Sequence, residues 1–233
     1  MGRASELRTP GLLARWPVIG VIMVVLGVGV FGVMVINLQT NGPLIPLDLA
    51  VANSLHATAL QSPLFIKDMM IFGFYLGEHI IVGIGAALAI YFLYKRFWPE
   101  LCMVVIAWAG EGAIWLYSSN YFNRPRPAFP QEVWHTMTVP SFPSGHVIAA
   151  VMCFVLLAYW AMPYMTSRLS KILVWVDAIL IILFIGFSRL FIGDHYLTDV
   201  LAGYALGIAW FGLVFTSIEL ITRKRRNRHE QKK

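Results

Sequence analysis

Side chains able to grip and transfer a phosphoryl group occur at four places along an otherwise apolar chain. Asn123-Arg124-Pro125-Arg126-Pro127 closes one hydrophobic stretch, and Phe142-Pro143-Ser144-Gly145-His146 opens the next. Ser188-Arg189 closes a third, and Asp194-His195 with Asp199 opens a fourth. Each has an ordinary reading by itself. The arginines could anchor at headgroups, Ser144 could cap a helix, His146 could be a satisfied interfacial histidine, and His195 and Asp199 could be an i, i+4 surface pair. Together these readings need several coincidences at one membrane depth. The chemistry the set supports is phosphoryl transfer. Arginines clamp phosphate oxygens bidentately, and a Ser-Gly helix start presents free N–H groups to an anion. Asp199, one turn after His195, can accept one imidazole N–H and leave the other nitrogen unprotonated, as a nucleophile requires. His146 can protonate a leaving alcohol oxygen.

Those groups need a scaffold, and composition says which. Of 233 residues, 58% are hydrophobic and only 13% charged, with mean hydropathy +0.70. Soluble domains are nearer ~45–50% apolar and ~25% charged. A disordered chain, a secreted disulfide scaffold and an ordinary cytosolic enzyme are excluded, which leaves an all-α polytopic membrane protein. Cys102 and Cys153 lie in apolar stretches and read as small core hydrophobes. Spans of about 20 apolar residues cross a bilayer, and six are expected: Pro17–Leu38, Met69–Tyr94, Leu101–Ser118, Val147–Met162, Ile172–Phe187 and Val200–Ile218. The fourth and fifth are short and should extend into their flanks. The first is too long for a signal-peptide core and reads as a retained anchor. The expected organisation is a single membrane domain, 1–233: a cytoplasmic N-terminus over 1–16, a six-helix bundle over 17–218 and a basic cytoplasmic tail over 219–233.

With six spans both termini share a side. The termini and the 95–100 and 163–171 loops hold fourteen of the eighteen Lys and Arg residues. By the positive-inside rule that side is cytoplasmic, and all four chemical stretches fall on the outer face. Basic residues flanking spans are anchors, and no basic patch is interleaved with exposed aromatics, so nucleic acid is not a partner. Between spans one and two, Asp48–Asp68 carries Leu49, Leu55, Leu60, Leu64 and Phe65, which reads as an amphipathic helix at the interface, with an irregular loop as the alternative. Glu78 and His79 either line the substrate route or form a buried polar pair, and Glu111 either partners them or lines a water cavity. Asp177 reads as solvated or paired with Lys171. Asp194, His135, His56 and His229 have no motif role, the last two reading as surface residues. The chain has no HExxH, CxxC or carboxylate cluster, so no metal and no cofactor is expected.

The second and third stretches, Pro-Ser-Gly-His and Ser-Arg-x5-His-x3-Asp, complete and in order, resemble the type 2 phosphatidic acid phosphatase (PAP2) superfamily. That resemblance implies a core shared with acid phosphatases and vanadium haloperoxidases, and metal-independent hydrolysis of a lipid phosphomonoester or pyrophosphate. His195 would form the phosphohistidine, Asp199 would orient it, and His146 would be the general acid. Arg126, Ser144, Gly145 and Arg189 would hold the phosphate. The family's first motif, Lys-x6-Arg-Pro, is incomplete: counting back from Arg126-Pro127 gives Ser119, and no lysine lies between Arg96 and Lys171. Losing one such contact typically costs ~10²–10³ in rate. Arg124 or Ser119 could compensate as further phosphate ligands. The readings that remain are a lipid phosphate phosphatase, a phosphotransferase using the same intermediate, and a catalytically weak lipid-phosphate-binding relative. The partners implied are the lipid phosphate and membrane lipids, with no obligate protein partner.

Overall fold

The computed structural model describes residues 16–133 and 138–230, without the side chains of 225, 226 and 228–230. His135 and residues 1–15 of the expected cytoplasmic N-terminus therefore lie outside the described residues, as does the His229 side chain. Among the described residues seven α-helices form: α1 Pro17–Gln39, α2 Leu44–Gln61, α3 Leu64–Lys95, α4 Trp98–Phe122, α5 Gly145–Ala161, α6 Arg168–Phe191 and α7 Leu197–Glu230. All but α2 are long and apolar enough to cross a membrane. The six expected spans are present, and the two short ones extend into their flanks as anticipated, the fourth to Gly145–Tyr164 and the fifth to Arg168–Phe191. The last helix runs on through the basic stretch to Glu230 rather than ending near Ile218.

The helix starts and stops follow local chemistry. Pro17 and Pro99 sit in first turns, where a missing N–H costs nothing. Arg96 and Asn123 stop α3 and α4 in the left-handed region, at φ 55° and φ 43°. A five-residue π turn, Leu76–Ile80, interrupts α3 and carries Glu78. Such turns shift the register of the residues they hold and recur at functional sites.

The bundle is packed around α5 and α7. One core cluster includes Phe92, Val104, Met152, Leu156 and Phe215, and a second joins Ile81, Val151, Cys153 and Ile185. Helix α1 lies along α7 through small residues: a Cβ at Gly27 would sit 2.5 Å from the Ala205 carbonyl oxygen. Close backbone approach of this kind is how helices associate in lipid, where apolar side chains gain nothing by leaving it. The outward faces are correspondingly apolar, with Val25 64% and Leu26 63% exposed. Cys153 is buried as expected, whereas Cys102 is exposed.

Two expectations are corrected between α1 and α3. The segment read as one amphipathic helix over Asp48–Asp68 is instead α2, a break at Ser62-Pro63, and the start of α3. Ser62, held extended before a proline, cannot continue the helix. The buried face of α2 is Asp48, Ala52, His56 and Ala59, while Leu47 and Leu49 are exposed and Leu55 packs partly against Val147, Leu190 and Val200. His56, read as a surface residue, stacks on Phe129 with ring centroids 3.8 Å apart. In a lipid setting Leu47 and Leu49 are satisfied outside, and the polar face is free to turn inward.

Candidate active site

Four helix ends and α2 meet at one end of the bundle. The turn between α6 and α7 sets the centre. Gly193 adopts φ +81°, a conformation that suits glycine. The N–H groups of Asp194 and His195 then both donate to the Arg189 carbonyl, at 2.9 and 3.4 Å. His195 is thereby turned into the protein interior, where it is 2% exposed.

Its imidazole is oriented by a main-chain group. Nδ1 lies 2.8 Å from the Ser141 carbonyl oxygen. A carbonyl only accepts, so Nδ1 carries the proton and Nε2 holds a lone pair. The Asp199 carboxylate expected in that role is 3.7 Å from Nδ1, beyond hydrogen-bond distance. Arg126 Nη1 donates toward Nε2 across 3.4 Å. Burial first, then the positive charge of Arg126, hold the His195 imidazole well below its usual pKa. The ring is neutral at physiological pH.

The expected residues divide into two groups. Arg126 is fixed by Nε donating to the Val139 carbonyl at 2.8 Å and by Nη1 donating to the Asp194 carbonyl at 2.8 Å. Arg189 is fully buried, its guanidinium 4.7 Å from the Phe74 ring centroid, and it donates to the Ser188 hydroxyl at 3.0 and 3.2 Å. The imidazoles of His146 and His195 approach edge to face, with centroids 6.3 Å apart. His146 Nε2 lies 3.6 Å from Glu78 Oε2, which the π turn of α3 brings across. His79 packs on Tyr75 instead. Ser144 stands at the N-cap position of α5 but its side chain caps nothing, and its N–H donates to the Asp199 carbonyl at 3.1 Å rather than remaining free. Gly145 is required by packing: a Cβ there would meet Trp115 Nε1 at 2.8 Å.

Arg124 and Ser119 are not brought to this group. Both terminal nitrogens of Arg124 are committed, Nη2 to Asp48 at 2.7 Å and Nη1 to Asp199 and to the Thr198 hydroxyl. Burial pulls the Arg124 pKa down, but Asp199 and Asp48 outweigh it and the pKa is raised. Ser119 is buried in the last turn of α4, where its hydroxyl donates to Leu116 within the same helix.

Asp48 is the residue that sequence reading missed. It is fully buried, accepts from the Thr198 N–H at 2.9 Å and the Thr198 hydroxyl, and pairs with Arg124. It thus ties α2 to the start of α7. An aspartate in the second turn of a helix rich in leucine was the available signal, but only the fold shows that it points inward.

Seven buried side-chain atoms among the described residues lack a hydrogen-bond partner, and four belong here: Ser144 Oγ, His146 Nε2, Arg189 Nη1 and Asp194 Oδ2. Buried polar atoms are nearly always paired, so this concentration makes the helix-end cluster the candidate binding place. A recess of about 480 Å³ lined by Arg124, Arg126, Phe129 and residues 138–140 adjoins it on the Arg126 side. Among the described residues no group of three His, Cys, Asp or Glu side chains could hold a metal ion.

Known proteins of similar sequence and fold identify the family. Residues 100–223 match the model of the PAP2 superfamily. The chain is 32% identical over 149 residues to phosphatidylglycerophosphatase B of Bacillus subtilis, an alignment covering 63% of this chain and 70% of that protein. Among solved structures it resembles a transmembrane PAP2-type phosphatidylglycerolphosphate phosphatase of B. subtilis, with TM-score 0.66, 27% identity, and 81% and 94% of the two chains covered. It also shares the fold of LpxE from Aquifex aeolicus, with TM-score 0.53, 21% identity, and 73% and 95% covered. The orphaned polar atoms beside an oriented, neutral His195 therefore sit in a chain that belongs to the PAP2 superfamily, as a multi-pass membrane phosphatase.

Proposed function

We propose that the protein hydrolyses the phosphate ester of a membrane lipid through a phosphohistidine on His195. The observation that carries this is the meeting of four orphaned buried polar atoms with the His195 imidazole at one end of an apolar bundle. Nε2 of His195 attacks phosphorus, and the bond to the lipid oxygen breaks. His146 gives that oxygen a proton and then takes one from the water that cleaves the phosphohistidine. Arg126, Arg189 and the Ser144 hydroxyl hold the phosphoryl oxygens, and their fixed placement favours the charge that spreads over those oxygens in the transition state. Gly145 allows α5 to start against Trp115. Asp199 stands near His195, itself anchored by Arg124.

A lipid substrate suits a site at the helix ends of a span bundle, where the head meets the arginines and the tails stay in the bilayer. The names of the B. subtilis relatives favour phosphatidylglycerol phosphate over other lipid phosphates. The distribution of basic residues favours an outer-face site with cytoplasmic termini. Purified protein in detergent tests the reading on phosphatidylglycerol phosphate, phosphatidic acid and an isoprenoid pyrophosphate. Phosphate release without an added acceptor is expected. Turnover only with an acceptor alcohol, or none on any lipid, overturns it.

A further inference from the structure

We propose that Asp194 makes the site select a singly protonated phosphate group, its carboxylate accepting a hydrogen bond from the P–OH. The inference rests on the reading of Arg126 and Arg189 as phosphate ligands. The Asp194 carboxylate sits between them, Oδ1 2.9 Å from Arg126 Nη1 and Oδ2 3.7 Å from Arg189 Nη1. It is 2% exposed, and both Oδ2 and Arg189 Nη1 lack a hydrogen-bond partner. The residue cannot easily swing away. Its N–H is bonded to Arg189, its carbonyl accepts from Arg126, and the left-handed Gly193 precedes it.

A phosphoryl group reaching both guanidinium groups must therefore set an oxygen against a buried carboxylate. A dianion would place like charges in contact where little water screens them. One proton on the phosphate converts that repulsion into a hydrogen bond, as when two carboxyl groups share a proton. The charge balance agrees. Two guanidinium cations against one carboxylate leave a single positive charge, and Ser119 contributes none where the family pattern has a lysine. A phosphomonoester loses its second proton near pH ~6, so both forms are available to be distinguished. The other charged or titratable groups around the carboxylate are His195 on the same turn, His146 from α5 and Glu78 from α3 beyond it. Arg124 and Asp199 lie behind His195.

The experiment uses full-length protein in detergent, with inorganic phosphate and sulfate as competitive inhibitors of lipid phosphate hydrolysis from about pH 5.5 to about pH 8. Sulfate carries no proton in that range. In the parent, phosphate affinity is expected to fall about tenfold per unit above its second pKa, with sulfate weak throughout. In Asp194→Asn the phosphate dependence should flatten and sulfate should tighten by about tenfold or more. Asp194→Asn also removes a charge that acts on His146 and His195, so in each protein the phosphate profile is read as its ratio to the sulfate profile, which carries the histidine contribution but no ligand proton. Two results overturn the proposal while leaving the phosphatase reading intact: sulfate equalling phosphate in the parent, or Asp194→Asn weakening both anions with an unchanged pH profile. The first needs no variant, so it decides the matter even if Asp194→Asn fails to fold. A parent that releases no phosphate and binds neither anion removes both readings.

Discussion

Arg124 and Arg126 are two residues apart, yet they serve different halves of the same helix-end cluster. Arg124 belongs to a closed knot with Asp48, Thr198 and Asp199, in which both its terminal nitrogens are bonded. Arg126 faces the open half, where Ser144, His146, Arg189 and Asp194 each leave a buried polar atom unpaired. A saturated buried network stabilises a shape, because each desolvated group has its partner. An unsaturated one keeps binding capacity for something else. The same residue type, in one short Arg-Pro-Arg-Pro run, is structural in one place and a ligand-binding candidate in the other.

The largest expected effect tests the open half. His195→Ala should lower turnover by about 10⁴-fold or more and abolish any acid-stable phosphoenzyme, since nothing else there is an oriented nucleophile. Turnover near that of the parent would remove the assignment and the functional meaning of the open half with it.

The next test sets one half against the other. Asp48→Ala leaves Arg124 and the start of α7 short of a buried partner, and should cost about 3–5 kcal/mol of stability by thermal or denaturant unfolding in detergent. Ser144→Ala removes a hydroxyl that has no partner. It should change stability by less than about 1 kcal/mol, while kcat/KM falls about tenfold or more from a lost phosphoryl contact. If both variants lose stability equally, or Ser144→Ala keeps full activity, the two halves are not different in kind.

The smallest effect concerns pH. Burial and Arg126 hold His195 below its usual pKa. The unfolded chain protonates this residue near pH ~6.5 and the folded protein only well below it. Below ~6.5 the unfolded state thus binds more protons, so stability contributed by neutral His195 is complete above ~6.5 and declines as pH falls. Phosphoenzyme formation at saturating substrate should correspondingly change little between about pH 7 and about pH 6. An acid limb centred at the ordinary histidine value, read by rapid-quench labelling, would mean that His195 is solvated during the reaction.

How much of this was legible in the sequence depends on the range of the forces concerned. Apolar runs separated by charged loops are a local property, so six spans could be counted and their shared helix ends assigned to one face. The motif spacings likewise named Arg126, Ser144, His146, Arg189 and His195, because each type carries its chemistry with it. Tertiary structure decided what those residues do to each other. The carbonyl that orients His195 comes from Ser141, 54 positions away, and no spacing rule connects them. Arg124 was claimed by Asp48 and Asp199, 76 and 75 positions distant, because a buried guanidinium takes whichever carboxylates the packed helices present. Helix α2 turned Asp48 and His56 inward and left Leu47 and Leu49 exposed, because Arg124 and Thr198 from distant stretches offer the aspartate its partners. Sequence supplied the membrane helices and the list of reactive side chains. Only the packing of helix ends from distant stretches could sort that list into a knot that holds the site and a set left open to bind.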